Sequence, residues 1–121
     1  MTRLKFDLYS EKHPKMALIN ISDSDFEEKV IKANLPVFVD FFAPWCAPCK
    51  MAEPVIEEMA KDHEGKVTFA KINVDENPQS SSKFDVMSIP TTLVFKDGKE
   101  VARQTGFSGR QTFEELIKKA I

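Results

Sequence analysis

Basic residues are not in excess in this chain of 121 residues: 17 Lys and Arg stand against 19 Asp and Glu. No positive footprint is available to hold a phosphate backbone, so nucleic acid is not an expected partner. Long apolar runs are missing as well. The most apolar stretch, Pro36 to Phe42, is broken by Asp40 and falls far short of the roughly 20 residues that cross a bilayer, so no membrane partner is expected. The first ten residues, MTRLKFDLYS, carry Arg3, Lys5 and Asp7 and leave no uninterrupted apolar stretch of about 7 to 15 residues for a secretory signal. The expected location is the cytoplasm, unless a signal has already been removed. Glycine is scarce at four residues, and with the seven prolines it is scattered as punctuation rather than gathered into a linker. A single domain with one core follows from the length. Cysteine is scarcest where it matters: there are two, both in one Cys-x-x-Cys at Cys46 and Cys49. So small a ring removes little entropy from the unfolded chain, so the pair calls for a chemical explanation.

Residues 1–15 mix charges of both signs with scattered apolar side chains and end in Ser10-Glu11-Lys12-His13-Pro14-Lys15 before Met16. They read as an N-terminal extension, frayed or carrying a short docked strand at residues 4–9. From Met16 to Ile121 the pattern alternates between strand and helix. Residues 16–21 suit a strand, and Ser24-x-x-Glu27 has the spacing of a capping box, opening a helix that buries Phe26, Val30 and Ala33. Residues 36–42 are apolar on both parities, as expected of a central strand covered on both faces. A second helix runs from the cysteines to about Asp62, with Met51, Val55, Ile56, Met59 and Ala60 on one side and a kink at Pro54. Residues 66–74 give a third strand, 78–84 a short helix and 91–96 a fourth strand. Asp97-Gly98 then forms a hairpin into residues 99–104. The last helix opens at Ser108-Gly-Arg-Gln111 and buries Phe113, Leu116, Ile117, Ala120 and Ile121. The predicted architecture is α/β, a central mixed sheet of five strands flanked by four helices.

The cysteines fall where the central strand ends and a helix begins, the place where free amides and the helix dipole favour an anion. Cys46 is best placed to be that anion, the more exposed of the two at the helix start, and Cys49 lies one turn further on the same face. A disulfide between them can open and close with little backbone movement. Three other readings compete. For a zinc finger, Cys46-x2-Cys49-x13-His63 begins correctly, but Val67, Thr68 and Phe69 stand where a second histidine belongs. An iron-sulfur cluster needs four thiolates and so two chains. An inert buried pair is disfavoured by Trp45, Ala47 and Pro48 crowding the cysteines at a loop tip. No metal and no cofactor is expected. Asp40 is the one ionisable residue in the central strand, and burial should raise its pKa and suit it to accept a proton from Cys49. His63 and the ten phenylalanines need no functional reading.

Across residues 16–121 the chain resembles the thioredoxin family. The resemblance rests on Asp40, on Trp45-Cys46-Ala47-Pro48-Cys49-Lys50, on Pro54 and Lys71, on Ile89-Pro90-Thr91, and on Gly98 and Gly106. One residue departs from the family pattern: Ala47 stands where Gly is usual, and the residues between the cysteines tune the reduction potential. The resemblance implies the thioredoxin fold and a monomeric protein disulfide reductase in which Cys46 attacks and Cys49 resolves. Its partners would be disulfide-containing client proteins and a thioredoxin reductase or equivalent electron donor. Lys71 would lie beside Asp40 and tune it. Trp45, Ala47, Pro48, Ile89, Pro90 and Gly106 would form an apolar rim for clients, with a cis bond at Ile89-Pro90. Ala47 keeps open a disulfide oxidase or isomerase of the same fold, and a redox-dependent binding module without turnover is the alternative of a different class.

Overall fold

The computed structural model describes residues 17–121. The extension expected at 1–15, with its candidate strand at 4–9, and Met16 lie outside the described residues. Five strands form one sheet in the order β1-β3-β2-β4-β5: β1 (Leu18–Ile21), β2 (Val37–Phe42), β3 (Thr68–Asn73), β4 (Thr91–Lys96) and β5 (Lys99–Thr105). β1 and β2 run parallel to β3, whereas β4 runs antiparallel to both β2 and β5. The strand that is apolar on both parities is therefore the middle one, with a layer of helix on each face.

Alternation along the strands divides the core in two. Phe38, Phe69 and Val94 face α2 (Ala47–Asp62) and α4 (Arg110–Lys118), which contribute Ile56, Met59, Phe113 and Ile117. Phe38 packs against Phe69 at 4.8 Å and edge-on to Phe113 at 5.3 Å between ring centroids. Val39, Phe41, Ile72, Leu93 and Phe95 face the other way, onto Phe26, Val30 and Phe84. These belong to α1 (Glu27–Ile31), to the residue before it, and to the residue that ends α3 (Pro78–Lys83). α3 is capped from a distance: the Asp23 carboxylate accepts the N–H groups of Gln79 and Ser80 at 3.0 and 2.8 Å.

Three local expectations are corrected. The capping box at Ser24 and Glu27 does not form. The Asp25 carboxylate instead takes the Ser22 N–H at 3.1 Å, the Ser24 hydroxyl turns to that of Ser22, and α1 winds as a π-turn with Lys32 N–H donating to Glu27 C=O. Met51 is exposed, because the buried side of α2 is set by Cys49, Ala52, Ile56, Met59 and Ala60. Ile121 also faces outward, one residue beyond the buried Ala120. Pro54 sits on the open side of an unbroken α2, where it deletes one hydrogen bond without dividing the helix.

The β4–β5 hairpin turns through Asp97 and Gly98 with φ of 52° and 80°, the left-handed pair that a two-residue connection requires. A Cβ on Gly98 would stand 3.1 Å from Ile31 O, whereas one on Gly65, at φ 86°, would meet nothing within 4 Å. Both Gly→Ala substitutions force alanine into left-handed backbone, a cost of about 1 to 2 kcal/mol each. Gly98→Ala must also move α1, so urea denaturation is expected to find it clearly the more destabilising. Equal losses would show that the turn does not press on α1.

Candidate active site

Cys46 ends the loop after β2 and caps α2. Its backbone is extended (φ −90°, ψ 111°), and its Sγ accepts the N–H of Cys49 at 3.2 Å. Pro48 lies in the first turn of α2, where its missing N–H deprives the helix of nothing. Cys46 and Cys49 are joined in a disulfide with Cα atoms 5.3 Å apart. The expected difference in exposure is not present: both cysteines are buried, at 4% and 3% of full exposure. Ala43, Phe42, Val74 and Ile89 close around them. What distinguishes the two is position. Cys46 Sγ sits at the positive end of α2, while Cys49 lies within the helix and lines a cleft of about 230 Å³ that also contains Asp40, Lys50 and Glu53.

Asp40 occupies the centre of β2 and is 2% exposed. Burial pushes its carboxyl up from the ordinary 3.8 to about 7; the charge of Glu53 adds to the rise and the Lys71 ammonium partly offsets it. Lys71 is the register partner of Asp40 on β3. It is no surface lysine: its Nζ pairs with Glu53 Oε2 at 2.5 Å and lies 5.2 Å from the centroid of the Phe42 ring. The cation is thus shared between two carboxylates of unequal burial, and the half-buried one, Glu53, holds it by direct contact. Sequence reasoning missed Glu53. Its place four residues after Cys49 on α2 was the available signal.

The expected rim is brought together in part. Trp45 is 69% exposed and donates from Nε1 to Asp75 Oδ2 at 2.8 Å. It shares a groove of about 280 Å³ with Ile89, Val74, Val86 and Met87. Ala47 and Pro48 are exposed at the start of α2. The Ile89-Pro90 bond is cis, and Gly106 N–H donates to Pro90 O at 2.7 Å, joining the β5 end to the loop before β4. Asp75 and Met87 were not foreseen; Met87, at 91% exposure two residues before Ile89, is the most exposed apolar side chain here. His63 lies at the far end of α2, hydrogen-bonded to Glu114 at 2.9 Å, and so does not join the cysteines in a ligand set.

A redox-active disulfide at a helix start, beside a buried carboxyl in the middle of the central strand, defines a thiol-disulfide oxidoreductase. The family model for thioredoxin matches residues 17–119. A thioredoxin of Staphylococcus aureus is 47% identical over 104 residues, covering 86% of this chain and 98% of that protein. A thioredoxin of Staphylococcus saprophyticus is 48% identical over 105 residues, with the same coverage. The chain belongs to the thioredoxin family. It is a protein disulfide reductase acting by dithiol-disulfide exchange, with disulfide substrates and a reductase as electron donor. Among the described residues no helix is long and apolar enough to cross a membrane.

The raised pKa of Asp40 makes stability depend on pH with a definite sign. The folded state binds this proton more tightly than the unfolded chain does, so stability falls as pH rises from about 4 to about 7 and is level beyond. The interval from 3.8 to about 7 corresponds to about 4 kcal/mol. Asp40→Asn removes that dependence. Its unfolding free energy relative to the parent, from urea denaturation of the oxidised proteins, is expected to grow by a few kcal/mol between pH 4 and pH 8. A difference independent of pH would contradict the buried acid.

Proposed function

We propose that Cys46 is the attacking thiol, Cys49 the resolving thiol and Asp40 the acceptor of the Cys49 proton. The observation that carries this reading is the division of surroundings between the two sulfurs: Cys46 Sγ accepts the Cys49 N–H at the α2 start, whereas Cys49 lies in one cleft with Asp40. In the reduced protein the Cys46 thiolate attacks one sulfur of a client disulfide, forming a mixed disulfide and releasing the other client sulfur as a thiolate. Cys49 then loses its proton to Asp40 and attacks Cys46 Sγ. The Cys46–Cys49 disulfide forms, the second client thiolate leaves, and two electrons have passed to the client. The reductase returns two electrons to the pair.

Acidity alone explains little of the rate. Lowering a thiol pKa from about 8.5 to about 7, a value typical of thioredoxins as a class, raises the thiolate fraction at pH 7 roughly 16-fold. With a Brønsted slope near 0.45 it also costs about 5-fold in nucleophilicity, leaving a gain of about 3-fold. Positioning must supply the rest. Ile89 packs against the cluster that holds the cysteines and lines the groove with Trp45, which supports docking of an extended client along the Ile89 backbone. Ala47, Pro48, Pro90 and Gly106 complete the rim, and its few charges suit clients of varied sequence. Lys71, through Glu53, adjusts how much of its charge Asp40 feels. The protein works as a cytoplasmic monomer that engages neither nucleic acid nor a membrane, with residues 16–121 as the catalytic domain and 1–15 as an N-terminal extension.

Trapping separates the two cysteine roles. Cys49→Ser is expected to accumulate client proteins as mixed disulfides on Cys46, and Cys46→Ser to accumulate almost none, on non-reducing gels of the reduced variants mixed with a disulfide client. Equal trapping by both would overturn the assignment.

A further inference from the structure

Two polar atoms in the described core have no hydrogen-bond partner, Asp40 Oδ1 and Thr92 Oγ1. Their residues are direct register partners on the antiparallel strands β2 and β4. Side chains so paired share a face of the sheet with Cβ atoms about 4.5 to 5.5 Å apart. The two unpartnered atoms therefore belong to neighbouring side chains on one face of the sheet. The same register continues in both directions: Asn20 pairs with Lys71, Lys71 with Asp40, Asp40 with Thr92, and Thr92 with Gln104. A polar row crosses all five strands on the α2 side of the sheet, beside an apolar row of Leu18, Phe69, Phe38, Val94 and Ala102. Thr92 is completely buried in the polar row. Valine has the same shape with no group to desolvate, so a buried hydroxyl here is costly unless it meets a partner.

We infer that Thr92 is a positioning residue for Asp40: its hydroxyl hydrogen-bonds the Asp40 carboxyl, directly after a rotation about χ1 or through one water, and so sets how readily that carboxyl takes and releases a proton. A hydroxyl serves both states, donating to the carboxylate and accepting from the acid. The bond to the carboxylate is charge-assisted and roughly twice as strong, so Thr92 favours the ionised form. The other charged or titratable groups facing Asp40 are Lys71 from β3, and Cys49, Lys50 and Glu53 from α2; β4 brings none to this level. Thr92 is thus the neutral donor on the side of Asp40 opposite Lys71. Through its partner Gln104, whose Nε2 donates to Gly106 O at 3.3 Å, the row ends at the client rim.

The effect on turnover rests on Asp40 being the proton acceptor proposed above, whereas the bond itself is tested without that assumption. Asp40 is titrated in the reduced full-length protein by carboxyl carbon NMR. Thr92→Val is expected to raise the Asp40 midpoint by about one pH unit, and Thr92→Ser, which keeps the hydroxyl and loses the methyl, to leave it near the parent value. Should Thr92→Val not fold, Thr92→Ala set against Thr92→Ser reads the same hydroxyl. In client reduction, the alkaline shift of the pH profile caused by Thr92→Val should disappear when Asp40→Asn is also present. An unchanged or lowered midpoint in Thr92→Val, or a shift in Thr92→Ser as large as in Thr92→Val, overturns the inference. A shifted midpoint with an unchanged profile of client reduction upholds the bond and refutes Asp40 as the acceptor.

Discussion

Asp40 sits where the sheet is most enclosed, with β3 and β4 on either side and α2 above it, and a carboxylate there cannot remain charged at low cost. Its environment decides what the disulfide can do. Were the carboxyl solvated at the strand end, it would be ionised and too weak a base to compete for a thiol proton. Buried without a direct cation, it titrates near neutrality, where proton transfer to and from a thiol is most nearly balanced. The protein accepts a less stable fold above about pH 7 in return for a proton acceptor under Cys49.

Lys71 shows how that balance is kept. Placed in direct contact with Asp40, it would pull the carboxyl back down. It reaches instead to Glu53, itself a negative charge that pushes Asp40 up. The carboxyl of Asp40 thus feels two opposed charges at second hand, and desolvation remains the dominant influence. The sulfurs divide along the same axis. Cys46 is served by the amides of α2 and Cys49 by the cleft, although the two are equally buried in the oxidised state.

Much of this could be read from the residues alone, and the failures have physical reasons. The order of strands and helices follows from two-residue alternation, the apolar run around Asp40, and the Asp97-Gly98 turn, all of them local signals. α1 escaped because Asp25 and Ser24 compete for the same turn, and side-chain partners decide which wins. Met51 and Ile121 escaped because both lie at the margin of an apolar helix stripe, where only packing tells inside from outside. At the site, Cys46, Cys49 and Asp40 stand out by residue type and spacing. Glu53, Asp75 and Thr92 do not: each matters through a register or a contact between elements distant in the chain. The polar row ending at Gln104 exists only once the strand pairing is known.

The transfer of a proton from Cys49 to Asp40 is the step on which the rest depends, and it is separable from client docking. A mixed disulfide between Cys46 and a small aromatic thiol, formed on the otherwise reduced protein, reports the resolving attack of Cys49 by release of the chromophore. Followed by stopped flow from pH 5 to pH 10, the release rate is expected to rise through a midpoint near 7 in the parent protein, as Asp40 becomes able to accept the proton. In Asp40→Asn the midpoint should move up to the thiol's own range, about 8.5 or above, with a rate at pH 7 lower by at least about tenfold. The same profile in both proteins would contradict a role for Asp40 in moving the proton.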